Sequence, residues 1–193
     1  MVSRNLPNHL TIFRLLLAPT LLATTLLPGG SSSWAALSIL ALAGASDYLD
    51  GALARKWNIL SEFGRMMDPI ADKVVVASAI MLLLWQGSAP LVPAAMIFAR
   101  ELLISGLREY LAIAGKALEV SHLAKWKTTL QFTALAILFA ADLPILSETQ
   151  QVVMGLAGSG AFWFTALVTV GTGYDYWLKA RSLLGENSAK VDL

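Results

Sequence analysis

Six apolar runs, at about residues 9–27, 34–54, 66–86, 90–114, 127–142 and 150–178, fill most of the 193-residue chain and limit its fold more than any single motif does. Each is near or above the ~20 residues that a helix needs to cross a hydrocarbon core, the fifth being the shortest. The expected fold class is all-α, a polytopic membrane protein with six transmembrane helices. It forms a single domain over residues 1–193, with a short N-terminal segment (1–8) and a tail (182–193). Charged residues make up 14% of the chain, whereas a soluble domain carries about 25%. The apolar runs recur after every polar break, so the first is expected to stay in the mature protein rather than be removed as a signal peptide. There are no cysteines, which excludes disulfides, thiolate metal sites and cysteine nucleophiles.

Charge placement orients the spans. The connections "PGGSSS" (28–33), "QGSAP" (86–90) and "DLPILSETQ" (142–150) read as turns and contain no Lys or Arg. The 14 basic residues lie near the N-terminus (Arg4, Arg14), around the second connection (Arg55, Lys56, Arg65, Lys73), around the fourth (Arg100, Arg108, Lys116, Lys125, Lys127) or near the C-terminus (Lys179, Arg181, Lys190). With six spans these places share one side, which the positive-inside rule makes cytoplasmic, both termini included. No repeat or inverted pair of broken helices is evident, which argues against a secondary transporter.

Within this apolar chain, residues 46–73 hold four aspartates. Asp47 and Asp50 are three apart and Asp68 and Asp72 four apart, so on helices each pair shares a face. Four converging carboxylates cannot all ionise without cations between them. Hard divalent ions resolve the conflict: Mg²⁺ or Mn²⁺ where a phosphate substrate completes the shell, with two ions able to share the carboxylates. Gly51 and Ala54 are small enough for a ligand to approach the helix, and Arg55 offers a planar donor for phosphate oxygens. Gly64 permits a tight turn or close packing, and Pro69 suits the first turn of a helix. Ordinary loop charges at a helix end are the plainer alternative, which four aspartates at this spacing disfavour.

The pattern Asp47-x-x-Asp50-Gly51-x-x-Ala54-Arg55, then eight residues, then Gly64-x-x-x-Asp68-x-x-x-Asp72 resembles the signature of the CDP-alcohol phosphatidyltransferase family at all eight fixed positions. The resemblance implies a six-helix membrane enzyme, usually a homodimer, that displaces CMP from a CDP-linked lipid with an alcohol. It has no nucleic-acid partner. By this resemblance Asp47, Asp50, Asp68 and Asp72 hold two divalent cations against the pyrophosphate of CDP-diacylglycerol, and Asp72 is the general base. Gly51, Ala54 and Arg55 line the cytidine and phosphate pocket, with Asn8 and Thr11 reaching the nucleotide from the first helix. Arg14 either joins them or anchors the helix. A phosphohistidine route would need His9 or His122, both outside the motif, so direct displacement is favoured.

Three further stretches, "NLPNHLTIFR" (5–14), "ARELLISGLREYLA" (99–112) and "KWKTTLQ" (125–131), are similar to bacterial members of the family that use glycerol 3-phosphate. This implies the bacterial inner membrane and that acceptor, with inositol phosphate or a second phospholipid as alternatives. An acceptor with a phosphate needs fixed cations, and Arg108, Lys125, Lys127 and Arg100 are the candidates. Positive-inside anchoring, or neutralisation of Arg100 by Glu101, is the competing explanation. Asp142 and Glu148 read as solvated loop charges, and the last two spans offer no functional signal.

Overall fold

A computed structural model of the chain describes residues 6–28, 30–57, 62–116 and 122–191. Within its helices, the side chains of residues 6–8, 50–57, 62–63, 65, 122–125 and 185–191 lie outside the described ones. Among the described residues the fold is all-α. Helices α1 (Leu6–Ala23), α2 (Ser31–Trp57), α3 (Glu62–Trp85), α4 (Leu91–Ile113), α5 (His122–Ala141) and α6 (Glu148–Val191) follow one another, with a single 3-10 turn at Thr24–Leu26.

Each of the six apolar runs has its helix, but several boundaries move. The turn expected over 28–33 is shorter, because α2 already begins at Ser31, whose hydroxyl donates to the Pro28 carbonyl at 2.5 Å. The fifth helix spans 20 residues rather than the short run that hydropathy suggests. Residues 6–8 belong to α1, and the expected tail stays helical to Val191. Pro69 does not sit in a first turn: α3 starts at Glu62 and carries the proline inside it, where the missing N–H leaves the carbonyl one turn back without its helical partner. Gly64 is helical and buried, which favours close packing over a turn.

Helix ends follow from local chemistry. Gly87 takes φ 75°, and the N–H groups of Gly87 and Ser88 donate to the carbonyls of Leu84 (3.1 Å) and Leu83 (2.9 Å), closing α3. Gly115 ends α4 the same way, with φ 69° and the Lys116 N–H donating to Leu111. At the start of α6, the Ser147 hydroxyl accepts from the Gln150 N–H (3.4 Å), while the Ser147 N–H donates to Gln150 Oε1 (2.9 Å), a reciprocal capping box.

The chain divides into two compact units, Met1–Ala89 with Phe132–Ser159, and Pro90–Gln131 with Gly160–Leu193. In the first, α1 packs on α3 and α2 around Leu17, Ala18, Ala43 and Val75, with Ile39 against them. Here Asp142 is not a solvated loop charge, since Ser88 donates a 2.6 Å hydrogen bond to its Oδ2 and ties two connections together. In the second, Ala94, Ile97, Ile104 and Leu111 of α4 and Phe162, Ala166 and Ala180 of α6 are buried.

On two helices polar side chains are buried while large apolar ones face out. On α1 the buried stripe is Thr11, Arg14, Leu17, Ala18 and Leu21, while Ile12, Phe13 and Leu16 are exposed. On α4, Arg100 is buried while Leu102 and Leu103 are more than 70% exposed. Large apolar side chains facing out beside buried polar ones suit lipid as the solvent. Among the described residues two helices, over His9–Leu26 and Glu148–Leu184, are apolar and long enough to cross a membrane by length and composition. Elsewhere charged residues crowd one end of the helix, as Asp68, Asp72 and Lys73 do in α3.

Candidate functional site

The aspartates stand on helices, as their spacing requires. Asp47 and Asp50 lie near the C-terminal end of α2, and Asp68 and Asp72 lie in α3. What brings the two helices' carboxylates together is α1. Thr11 and Arg14 are three apart, on the buried stripe that continues through Leu17 and Leu21, so both point into the bundle.

The Thr11 hydroxyl donates to Asp68 Oδ1 at 2.6 Å. Arg14 Nη1 donates to Asp72 Oδ1 at 2.7 Å and lies 3.1 Å from Asp47 Oδ1, so one nitrogen bridges α2 and α3. The Arg14 side chain is 2% exposed, against 51% for Asp47 and 39% for Asp72. The guanidinium thus meets the carboxylates from inside the bundle, and their open side faces away from it. Among the described residues no group of three acidic or histidine side chains is arranged to hold a metal. The side chain of Asp50, like those of Gly51, Ala54, Arg55 and Asn8, lies outside the described ones. The donors present still fit a hard divalent cation. They are carboxylate oxygens only, and Thr11 and Arg14 hold Oδ1 of Asp68, Asp72 and Asp47 in place.

The second unit holds the acceptor candidates, and it separates them. Arg100 and Arg108 were expected near one helical face, but Arg108 is exposed and Arg100 is buried against α6. Arg100 Nε donates to the Thr169 carbonyl (3.1 Å), Nη2 to Thr172 Oγ1 (3.4 Å) and Nη1 to Glu101 Oε2 (3.4 Å). The Tyr176 ring lies 5.8 Å away. Gly173 gives room, since a Cβ there would sit 2.8 Å from Arg100 Cγ. Lys127, also buried, pairs with the same Glu101 oxygen. Lys125 lies on α5 with its side chain outside the described ones. The last helix therefore carries a signal that hydropathy hides: Thr165, Thr169, Thr172 and Tyr176 form one buried polar stripe at helical spacing.

Comparison with known proteins decides what kind of site this is. The family model described as CDP-alcohol phosphatidyltransferase matches residues 4–171. The chain belongs to the CDP-alcohol phosphatidyltransferase family. Similar relatives include proteins named CDP-diacylglycerol–glycerol-3-phosphate 3-phosphatidyltransferase. One from Rickettsia bellii (strain RML369-C) is 38% identical over 91% of this chain and 95% of its own. One from Escherichia coli (strain K12) is 37% identical over 92% and 96%. One from Cereibacter sphaeroides is 40% identical over 82% and 71%. Within this phosphatidyltransferase the matched region takes in both the aspartates and the Arg100–Glu101–Lys127 cluster, and it ends on α6 at the polar stripe.

Proposed function

We propose that the protein transfers the phosphatidyl group of CDP-diacylglycerol to glycerol 3-phosphate, giving phosphatidylglycerophosphate and CMP. The observation that carries this is the agreement of relatives 37–40% identical over 82–92% of the chain, all named for that reaction. Six helices cross the bacterial inner membrane with both termini and the aspartates on the cytoplasmic side, and two copies pair as a homodimer. The whole of residues 1–193 acts as one catalytic domain. The apolar exterior and the distribution of basic residues support this placement.

The acceptor's hydroxyl oxygen attacks the phosphatidyl phosphorus. The bond from that phosphorus to the CMP oxygen breaks, CMP leaves with the electron pair, and the hydroxyl proton passes to the Asp72 carboxylate. Asp47, Asp50, Asp68 and Asp72 hold two Mg²⁺ or Mn²⁺ ions, which neutralise phosphate charge when bound. Thr11 and Arg14 fix the carboxylates, while Asn8, Gly51, Ala54 and Arg55 line the nucleotide side. Arg108, Lys125 and Lys127 bind the acceptor's phosphate, Lys127 from beside Glu101. Arg100 has its guanidinium fork turned to α6 and Glu101, and it serves as their anchor.

The test is CMP release by purified protein given CDP-diacylglycerol, Mg²⁺ and each of glycerol 3-phosphate, inositol phosphate and a second phospholipid. Release with glycerol 3-phosphate alone is expected, and its absence overturns the proposal. In the same assay Arg108→Ala is expected to raise the KM for glycerol 3-phosphate roughly tenfold or more, the scale of one charge-assisted hydrogen bond, with little change for the lipid. Equal changes for both substrates would make Arg108 structural.

A further inference from the structure

Arg14 lies on the carboxylates that the proposed function assigns to divalent cations, and it reaches them from the side opposite to their exposed face. A buried guanidinium here has two consequences of opposite sign. It holds Asp47 and Asp72 in place, which helps any ion that binds there. It also adds a positive charge a few ångströms from that ion, which repels it. The Coulomb effect is the larger, since the guanidinium itself is buried and a divalent ion carries twice the charge it opposes.

We propose that Arg14 is a built-in counter-cation of the aspartate site. It cancels part of the carboxylate charge from within the bundle, keeps α1, α2 and α3 assembled when divalent ions are scarce, and lowers the affinity of the site for those ions. The same arrangement lets metal leave without the bundle opening under carboxylate repulsion. This inference rests on the metal assignment made above.

The experiment compares full-length wild type, Arg14→Gln and Arg14→Lys in detergent, by Mn²⁺ titration followed by electron paramagnetic resonance and by thermal unfolding in EDTA or saturating Mn²⁺. Arg14→Gln is expected to bind Mn²⁺ at least about tenfold more tightly. It should also melt well below wild type in EDTA, with most of that gap closed by Mn²⁺. Arg14→Lys keeps the charge and should stay within about threefold of wild type in affinity. Unchanged or weaker Mn²⁺ binding by Arg14→Gln would show that the arginine only orients its partners, and it overturns the inference while leaving the metal assignment intact. Failure of Arg14→Gln to fold in saturating Mn²⁺, or a large loss of affinity in Arg14→Lys, also overturns it. Wild type that binds no Mn²⁺ overturns the metal assignment and the inference together.

Discussion

Asp72→Asn is expected to lower the rate of CMP release by about 10²–10⁴-fold, the range for loss of a general base. The substitution is nearly isosteric. An asparagine Oδ1 can still accept from Arg14 Nη1, which now sits 2.7 Å from Asp72 Oδ1, so the link between α1 and α3 survives. What the amide loses is a second anionic oxygen able to take up the acceptor's proton. Retention of CDP-diacylglycerol, measured by equilibrium binding in Mg²⁺, should therefore fall far less than turnover. A variant that keeps more than about a tenth of wild-type turnover would remove Asp72 from proton transfer. A parallel collapse of lipid binding would assign it to metal binding alone.

Glu101→Gln should produce the largest loss of stability of any single substitution considered. Glu101 is the shared partner of two cations: Arg100 is 3.4 Å away, and Lys127 pairs with the same oxygen. The two basic side chains are 9% exposed and the glutamate 28%, so solvent screens the cluster only partly. Neutralising the glutamate leaves two buried positive charges facing each other, and breaking a buried pair from one side costs about 3–5 kcal/mol. The unfolding midpoint in detergent should drop by many degrees. Adding Lys127→Gln to Glu101→Gln should recover part of the loss, because one of the two positive charges goes with it. A midpoint unchanged by Glu101→Gln would show the cluster to be solvated, and the positioning of Lys127 would then need another cause.

The helices were legible because long apolar runs leave few alternatives, and their ends were less so for identifiable reasons. Ser31, Ser32 and Ser33 look like turn residues, yet serine is at home in a first helical turn, where its hydroxyl can bond back to the preceding chain as Ser31 does to Pro28. Pro69 was misplaced because hydropathy starts the third run at about 66, whereas polar residues from Glu62 onward already belong to the helix. Within the site, the pairs Asp47/Asp50 and Asp68/Asp72 could be placed on helix faces by counting along the chain. Arg14 could not be assigned to them that way, since its partner Asp72 lies 58 residues on and counting within one helix says nothing about which helices meet. The threonine stripe of α6 was open to the same counting, but a uniformly apolar background concealed it. Such a stripe is worth seeking in any span that otherwise looks featureless.

The separation between Arg14 and Asp72 also bears on how the protein is made. A ribosome adding about 5–20 residues per second adds Arg14 roughly 3–12 s before Asp72. An arginine at the centre of a lone helix opposes insertion by about 2.5–3.5 kcal/mol, less when it lies near an end. In the proposed membrane arrangement, α1 therefore enters with that cost unrelieved, and the cost is offset only when α3 follows. A chain stopped between the two would be the form most exposed to membrane quality control, and the bond that organises the site would also time its assembly.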